Sequence, residues 1–219
     1  RAAAYAKHPK VKGGYYFEHN KLMYETLLYL GFDVKALFAR VLNNQVIDVP
    51  KTHRMTLLTY ENEKYIIDVG FGFMSPNEPI KISQIPTKTT LNKSYVIKEL
   101  SEETFALQTI LNDSPYTLYS FDFHDYNEMD FEVANFYSYK HTNANFVKNL
   151  VLSTISDTEI LSLRNDTYHR ILPQTTKEIK INSLDAFSSI LKSDFNYPID
   201  DKEIQYLFEK FVKIYTKTD

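Results

Sequence analysis

The sequence predicts an α+β protein, with a helical segment first, a β-rich middle and a mixed α/β end. Apolar residues recur at helical spacing near both ends of the chain. Between them, short β-branched or aromatic runs alternate with polar turns. The 219 residues, 43% of them hydrophobic and 24% charged, can bury a substantial core of the kind found in ordinary globular proteins.

The first helix is predicted from the run FEHNKLMYETLLYLGF, which follows the glycine pair Gly13 and Gly14. Glu18 lies in its first turn, where a negative charge suits the helix dipole, and Gly31 is the predicted C-cap. The next segment contains the predicted strands VKALFARVL, HRMTLLTY, KYIIDVGF, SYVIKEL, TFALQTI and YTLYSFDF. The middle of the chain is therefore predicted to be mostly antiparallel β, as a barrel or a sandwich.

Helices and strands are both predicted in the last part of the chain. FEVANFYSYKH and SLDAFSSILKSDF are predicted helices, the second with Ser183 as N-cap, and FVKNLVLSTI and EILSLRN are predicted strands. Asp200 and Glu203 form a predicted capping pair at the start of the last helix. Its apolar residues fall at helical spacing: Ile204, Leu207, Phe208, Phe211 and Tyr215.

The composition excludes several classes of function. The chain has no cysteine, which excludes disulfides, thiolate metal sites and thiol catalysis. The net charge is −3 without a basic cluster, and the apolar runs are strand-sized, so we expect no nucleic-acid partner and no membrane span. The 17 Tyr and 15 Phe predict an aromatic core or a pocket for a flat apolar ligand. The opening residues RAAAYAKH contain no Met, so we expect the natural start to be missing.

Three residues are candidates for chemistry. Asp68 lies in a run otherwise predicted to be a buried strand, where an unpaired carboxylate is costly. A hairpin about Asn62 would bring His53 and Asp68 together, and a histidine held by a carboxylate suits a general base. Alternatively, Asp68 braces the following glycine turn and His53 has no chemical role. Tyr16 lies at the corner where the Gly13–Gly14 turn meets the first predicted helix. A nucleophile is expected at such an exposed corner, although a phenol is a weak nucleophile at neutral pH.

The motifs GGYYFEHN, THR and DVGFG resemble, in this order, those of the arylamine N-acetyltransferases, including the N-hydroxyarylamine O-acetyltransferases. The resemblance extends through LGFDVKALFARV and NFYSYKHTNANFVKNLVL and covers essentially the whole chain. In that family, a Cys-His-Asp triad passes acetyl from acetyl-CoA to an arylamine, a hydrazine or an N-hydroxyarylamine. Tyr16 stands where the family has the nucleophilic cysteine.

The resemblance implies a cysteine-proteinase-like core in three parts. These are the remainder of a helical bundle over residues 1–31, an antiparallel β-barrel over 32–140 and a C-terminal α/β lid over 141–219. It further implies acetyl-CoA as acetyl donor and co-substrate, a small aromatic amine or hydrazine as acceptor, and no metal. A monomer or weak homo-oligomer in the cytoplasm is expected.

The resemblance also implies roles for individual residues. His53 would be the base and Asp68 its orienter, while Thr52, Phe71 and Gly72 would lie near the CoA thioester or the acceptor. Because Tyr16 replaces the cysteine, we expect little or no activity by the family mechanism. The alternatives are an acetyl-tyrosine intermediate, direct transfer assisted by His53, a non-catalytic protein that binds CoA or an aromatic ligand, and an engineered substitution.

Overall fold

The computed structural model describes residues 13–89, 91–111 and 113–214. The described chain forms two compact units, one over 15–147 and one made of 148–214 together with 13–14. Residues 1–12 of the predicted first domain and Tyr215 of the predicted last helix lie outside the described residues. The three-part division of the sequence remains a prediction.

The larger unit combines helix α1 (Tyr16–Tyr29), an eight-stranded antiparallel sheet and helix α2 (Glu128–Lys140). The strand order is β4-β3-β2-β1-β8-β7-β6-β5, and β4 also contacts β6, so the sheet curls into a nearly closed barrel. The strands are β1 Asp33–Val41, β2 His53–Tyr60, β3 Glu63–Ile67, β4 Ile80–Lys81, β5 Thr87–Lys88, β6 Ser94–Ser101, β7 Thr104–Leu111 and β8 Ser114–Phe121.

The six strands predicted in the middle of the chain are all present, with one correction at Asp68. Strand β3 ends at Ile67, so Asp68 lies just beyond the strand and not within it. The reason is local, because the Asp68 carboxylate accepts a hydrogen bond from the backbone N–H of Gly70 and so starts a turn. The two-residue strands β4 and β5 were not predicted, since they are too short to show a period of two.

The barrel interior is apolar because alternate residues of the strands face inward. Burying one Leu or Ile side chain contributes about 1.5–3 kcal/mol, so this cluster is a major source of stability. Its least exposed aliphatic members, each at most 2% exposed, are Leu37, Ala39, Met55, Ile66, Ile80, Ile97, Leu107 and Leu118.

The opposite face of β1 packs against the helices. Phe38 contacts an aromatic cluster that joins Tyr16 and Phe17 of α1 to Phe131 and Ala134 of α2. The predicted C-cap of α1 is wrong by one residue: Leu30 is the C-cap, and Gly31 follows it at a φ of 85°, the left-handed conformation in which helices commonly end.

A buried arginine connects the two helices to the neighbouring strand β2. Arg54 of β2 is 1% exposed, and its guanidinium donates to both carboxylate oxygens of Glu128 in α2, at 2.8 and 3.2 Å. It also lies over the Phe131 ring, 4.2 Å from the centroid. Lys21 of α1 donates to Glu128 at 2.7 Å. These hydrogen bonds, chiefly those from Arg54, lower the pKa of Glu128 from 4.5 to about 2.

The smaller unit holds the antiparallel sheet β12-β11-β10-β9 and the C-terminal helices, and the short helix α3 spans the boundary at residue 147. Ser183 and Asp200 accept hydrogen bonds from Ala186 N and Glu203 N, which confirms both predicted caps. Within FVKNLVLSTI, the strand prediction is wrong for FVK, which is helical, and right from Val151. The elements are α3 Asn145–Lys148, β9 Val151–Ile155, β10 Ile160–Arg164, β11 Thr167–Ile171, β12 Thr176–Lys180, α4 Leu184–Ser189 with a π-helical continuation Ile190–Asp194, and α5 Asp201–Leu207 with a π-helical continuation Phe208–Val212.

Glu128→Gln should reduce the loss of stability in acid. Because the folded-state pKa of Glu128 is lowered, its contribution is complete above about pH 4.5 and is lost as the pH falls towards 2. Urea midpoints measured between pH 6 and pH 3 should fall less steeply in Glu128→Gln than in the unmodified protein. Glu132→Gln, on an exposed position of the same helix, is the control and should keep the original slope. Parallel slopes in all three proteins would contradict the assignment.

Candidate active site

The hairpin of β2 and β3 brings His53 and Asp68 together, as the sequence predicts. Thr56 pairs with Ile67, and the turn at Glu61 and Asn62 has both residues at positive φ. His53 starts β2 and Asp68 follows β3, so both lie at the open end of the hairpin. His53 Nε2 lies 2.7 Å from Asp68 Oδ2, and each residue is only 2% exposed.

The second oxygen of Asp68 is also fully engaged. Oδ1 accepts hydrogen bonds from Asn20 Nδ2 and from Gly70 N, both at 3.0 Å. Burial opposes ionisation, but the neighbouring His53 and these two donors hold the pKa of Asp68 below its usual value. Asp68 is therefore a carboxylate that fixes the imidazole through Nε2, which leaves Nδ1 for proton transfer.

Tyr16 is the first residue of α1 and is almost completely buried. Its ring contacts those of Tyr15, His53 and Phe146, with centroids 4.1, 5.3 and 5.5 Å away. Its hydroxyl donates to Ser138 Oγ in α2 at 2.8 Å, and Ser138 Oγ in turn donates to the Ala134 carbonyl at 2.9 Å. The ring contacts His53, but the hydrogen bond of the phenol leads to another helix.

The phenol of Tyr16 is held in its neutral form. Burial raises its pKa far above the usual value of 10, and the neighbouring Tyr15 raises it further. Hydrogen bonds with Ser138 and Thr52 offset only part of this effect. At neutral pH, the corner therefore presents a protonated phenol beside an oriented imidazole.

The loop after β3 packs directly on the first turn of α1. A Cβ built on Gly70 would lie 2.8 Å from Tyr16 Cβ, 2.9 Å from Tyr16 Cα and 2.7 Å from Asn20 Nδ2. Asn20 completes the junction, because its side chain donates to Asp68 and accepts from Val69 N at 3.0 Å. Only glycine allows this approach of loop to helix.

The structure brings two of the three predicted ligand-contacting residues to this centre. Thr52 lies close enough to the Tyr16 phenol to lower its pKa, and the Phe71 ring lies edge-on to His53 at 5.2 Å. Gly72, at a φ of 86°, belongs to the turn that follows, where its carbonyl accepts from Ser75 N at 2.8 Å. Their role towards CoA or the acceptor stays a prediction.

Sequence reasoning missed Asn20 and Ser138. Asn20 lies one helical turn after Tyr16, a spacing that places both residues on the same side of α1. This spacing is a usable signal, but nothing in the local sequence indicates its partner Asp68. Ser138 is 122 residues from Tyr16 and carries no local signal at all.

Within the described residues, no group of three or more His, Asp or Glu side chains is placed to hold a metal ion. A helix long and apolar enough to cross a membrane is likewise absent from this part of the chain.

Gly70→Ala should destabilise the protein by about 1–3 kcal/mol, because the new methyl group overlaps the backbone of Tyr16. The free energy of unfolding, measured in urea, tests this. Gly13→Ala is the control, since a Cβ there meets nothing within 4 Å and should leave stability unchanged. Equal stability of Gly70→Ala and the unmodified protein would refute the close contact.

Known proteins are similar to this chain in both sequence and fold. The N-acetyltransferase family model matches residues 9–204. An arylamine N-acetyltransferase from Mycobacterium tuberculosis is 30% identical over 197 residues, covering 87% of this chain and 69% of that protein. The structure of the arylamine N-acetyltransferase from Salmonella typhimurium has a TM-score of 0.82 at 25% identity, covering 91% of this chain and 76% of that one.

A further solved structure is similar to this chain in its fold. The structure of a Mycobacterium marinum arylamine N-acetyltransferase in complex with CoA has a TM-score of 0.82 at 24% identity, over 91% of this chain and 77% of that one. The family match, the relatives and the α+β architecture agree with the order of the sequence motifs. The chain belongs to the arylamine N-acetyltransferase family.

Proposed function

We propose that this chain binds CoA or an aromatic small molecule but does not carry out the two-step acetyl transfer of its family. The observation that carries the proposal is the hydrogen bond of the Tyr16 hydroxyl to Ser138 Oγ at 2.8 Å. In the family mechanism, a cysteine at this corner gives its proton to the histidine and attacks the thioester. Here the proton of the corner residue is directed at Ser138 instead.

The ionised fraction of Tyr16 at neutral pH is smaller by orders of magnitude than that of the family's catalytic cysteine. A catalytic cysteine paired with histidine is a thiolate at neutral pH, because its pKa is depressed by several units. An ordinary phenol, with a pKa near 10, is ionised to about one part in a thousand at pH 7. The pKa of Tyr16 is raised further by burial, so its ionised fraction is smaller still.

The size of Tyr16 also argues against an acetylated intermediate. Its ring is packed between Tyr15, His53 and Phe146. A cysteine would leave most of this volume free, and an acetyl group needs such space beside the histidine. We infer that the tyrosine ring fills the position of the acetyl group.

Binding of CoA is supported by the family and by the relatives. The family uses acetyl-CoA, and the M. marinum neighbour is described in complex with CoA. We propose that Thr52, Phe71 and Gly72 line the approach of the thioester or of an arylamine acceptor. The positions of Thr52 next to Tyr16 and of Phe71 next to His53 support this for two of the three residues.

A second function is favoured by the intact base. His53 Nε2 and Asp68 Oδ2 lie 2.7 Å apart, in the arrangement that suits a general base. In this alternative, a bound amine attacks the acetyl carbonyl of acetyl-CoA directly, without a protein nucleophile, while His53 takes the amine proton. The C–S bond breaks, and the CoA thiolate leaves and takes up that proton from His53.

We further propose a cytoplasmic location, which fits a chain without cysteine. The monomeric or weakly oligomeric state remains a prediction.

Tyr16→Cys should release CoA from acetyl-CoA in the presence of arylamines or hydrazides at least about a thousandfold faster than the unmodified protein, the ratio of the ionised fractions. CoA thiol release over a panel of these acceptors is the measurement. We expect this variant to lose about 3 kcal/mol of stability, because a buried ring is removed. Activity should therefore be measured below its melting temperature.

Tyr16→Phe separates the two functions. This variant keeps the ring and loses only the hydroxyl. If the ring of Tyr16 only fills the space beside His53, the variant should release no more CoA from acetyl-CoA than the unmodified protein does. If the unmodified protein turns over and Tyr16→Phe does not, the phenol takes part in chemistry and the proposal fails. If both turn over and His53→Gln does not, the direct-transfer alternative is correct.

Binding without turnover should be visible by calorimetry. Titration of the unmodified protein with CoA and with a panel of arylamines should give a saturable heat for at least one of them. The absence of any such heat would contradict the binding function.

A further inference from the structure

A polar cavity of about 190 Å³ lies where β1, β7 and β8 meet. It is smaller than the roughly 300–1,000 Å³ of sites for drug-sized ligands, so its size suits a small ion or a single functional group. The cavity is separate from the His53–Asp68 centre in its lining. The residues that line it are Arg40, Lys51, Thr104, Ser120, Phe121 and Asp122.

The register of the sheet places a cation and two hydroxyls on the same face. Arg40 of β1 lies directly opposite Ser120 of β8, and Ser120 lies opposite Ala106 of β7. Thr104 is two residues before Ala106 in β7 and therefore faces the same way. Arg40, Ser120 and Thr104 thus present their polar groups to one space.

Asp122, the acidic residue of the lining, already forms an ion pair with Lys51. The ammonium of Lys51 donates to Asp122 and to the hydroxyl of Tyr126. Asp122 Oδ1 also accepts from the Tyr126 hydroxyl at 2.7 Å and from His124 N at 3.1 Å. Although burial opposes the charge of Lys51, the hydrogen bonds with Asp122 and Tyr126 raise its pKa, so Lys51 and Asp122 remain an ion pair.

Arg40 is the charged residue of the lining that has no oppositely charged partner within the described residues. Its guanidinium donates to the neutral carbonyl of Val49, and no carboxylate of the described chain lies in ion-pair contact with it. Arg54 and Arg170, in contrast, each pair with a carboxylate. A guanidinium has five N–H donors and stays charged at any physiological pH. At least four donors of Arg40 are therefore available.

The two hydroxyls add to this excess of donors. No hydrogen bond joins the side chains of Ser120 or Thr104 to other groups in the described part of the chain. With the ion pair cancelling, the lining carries a net charge of about +1 from Arg40. A group with several acceptor oxygens and a negative charge would match this arrangement.

We propose that this cavity binds a phosphate group, held by the Arg40 guanidinium with the Ser120 and Thr104 hydroxyls as further donors. Arginine recognises phosphate through two parallel N–H···O bonds, a geometry that lysine cannot reproduce. The same chemistry would recognise free inorganic phosphate or a phosphomonoester on a larger molecule, such as the 3′-phosphate of CoA. The site does not depend on whether the chain catalyses acetyl transfer.

The test is calorimetric titration of the full chain with inorganic phosphate at constant ionic strength, with chloride as the blank. Phosphate should bind at one site, and Arg40→Gln should weaken the affinity about tenfold or more. Arg40→Lys keeps the positive charge but loses the two parallel N–H donors of the guanidinium. Its affinity for phosphate should lie between those of the unmodified protein and Arg40→Gln. Lys98→Gln, an identical change of charge at an exposed position of β6, should bind as the unmodified protein does.

Ser120→Ala provides a second test that leaves every charge in place. It should weaken phosphate binding several-fold, and it decides the question if Arg40→Gln fails to fold by circular dichroism. Competition by CoA but not by dephospho-CoA would identify the 3′-phosphate as the source, and competition by neither would identify free phosphate. No saturable binding, or equal affinities in the unmodified protein, Arg40→Gln and Ser120→Ala, would overturn the proposal.

Discussion

The buried carboxylate of Asp68 is the constraint on which the site depends. A charge that is 2% exposed must be compensated, and each partner that compensates it comes from a different part of the larger unit. His53 is at the start of β2, Asn20 is in α1, and Gly70 N is in the loop itself. Satisfying this single side chain therefore fixes the hairpin end, the loop and the first helix relative to one another. The same contacts orient the imidazole.

The corner at Tyr16 is a consequence of that assembly. Gly70 lets the loop approach the first turn of α1, which brings Tyr16 beside His53 whatever side chain it carries. The proposed replacement of the family's cysteine by Tyr16 would therefore leave the rest of this arrangement in place. In this chain the phenol is drawn towards Ser138 of α2, and the ring joins the aromatic cluster with Phe38 and Phe131. These contacts pack the corner tightly, as expected for the proposed protein that binds ligands without the two-step transfer.

How far the sequence predicts this molecule depends on the range of each interaction. The hairpin that joins His53 to Asp68 is local, since strand alternation and the polar turn at Asn62 set its register. Helix caps such as Ser183 are readable for the same reason. Contacts between distant segments are not, because no local pattern encodes them: the bonds of Arg54 to Glu128 and of Tyr16 to Ser138 span 74 and 122 residues.

The most direct test of the central claim is the ionisation of Tyr16 itself. The ring Cζ resonance, observed by ¹³C NMR in tyrosine-labelled protein and assigned by its loss in Tyr16→Phe, reports the protonation state of the phenol. We expect this resonance to stay at the position of the neutral phenol beyond pH 10, the ordinary pKa of tyrosine, because burial raises the pKa of Tyr16. A Tyr16 that titrates between pH 6 and about 8 would contradict it, because such a phenol would be activated by His53 in the manner of a nucleophile.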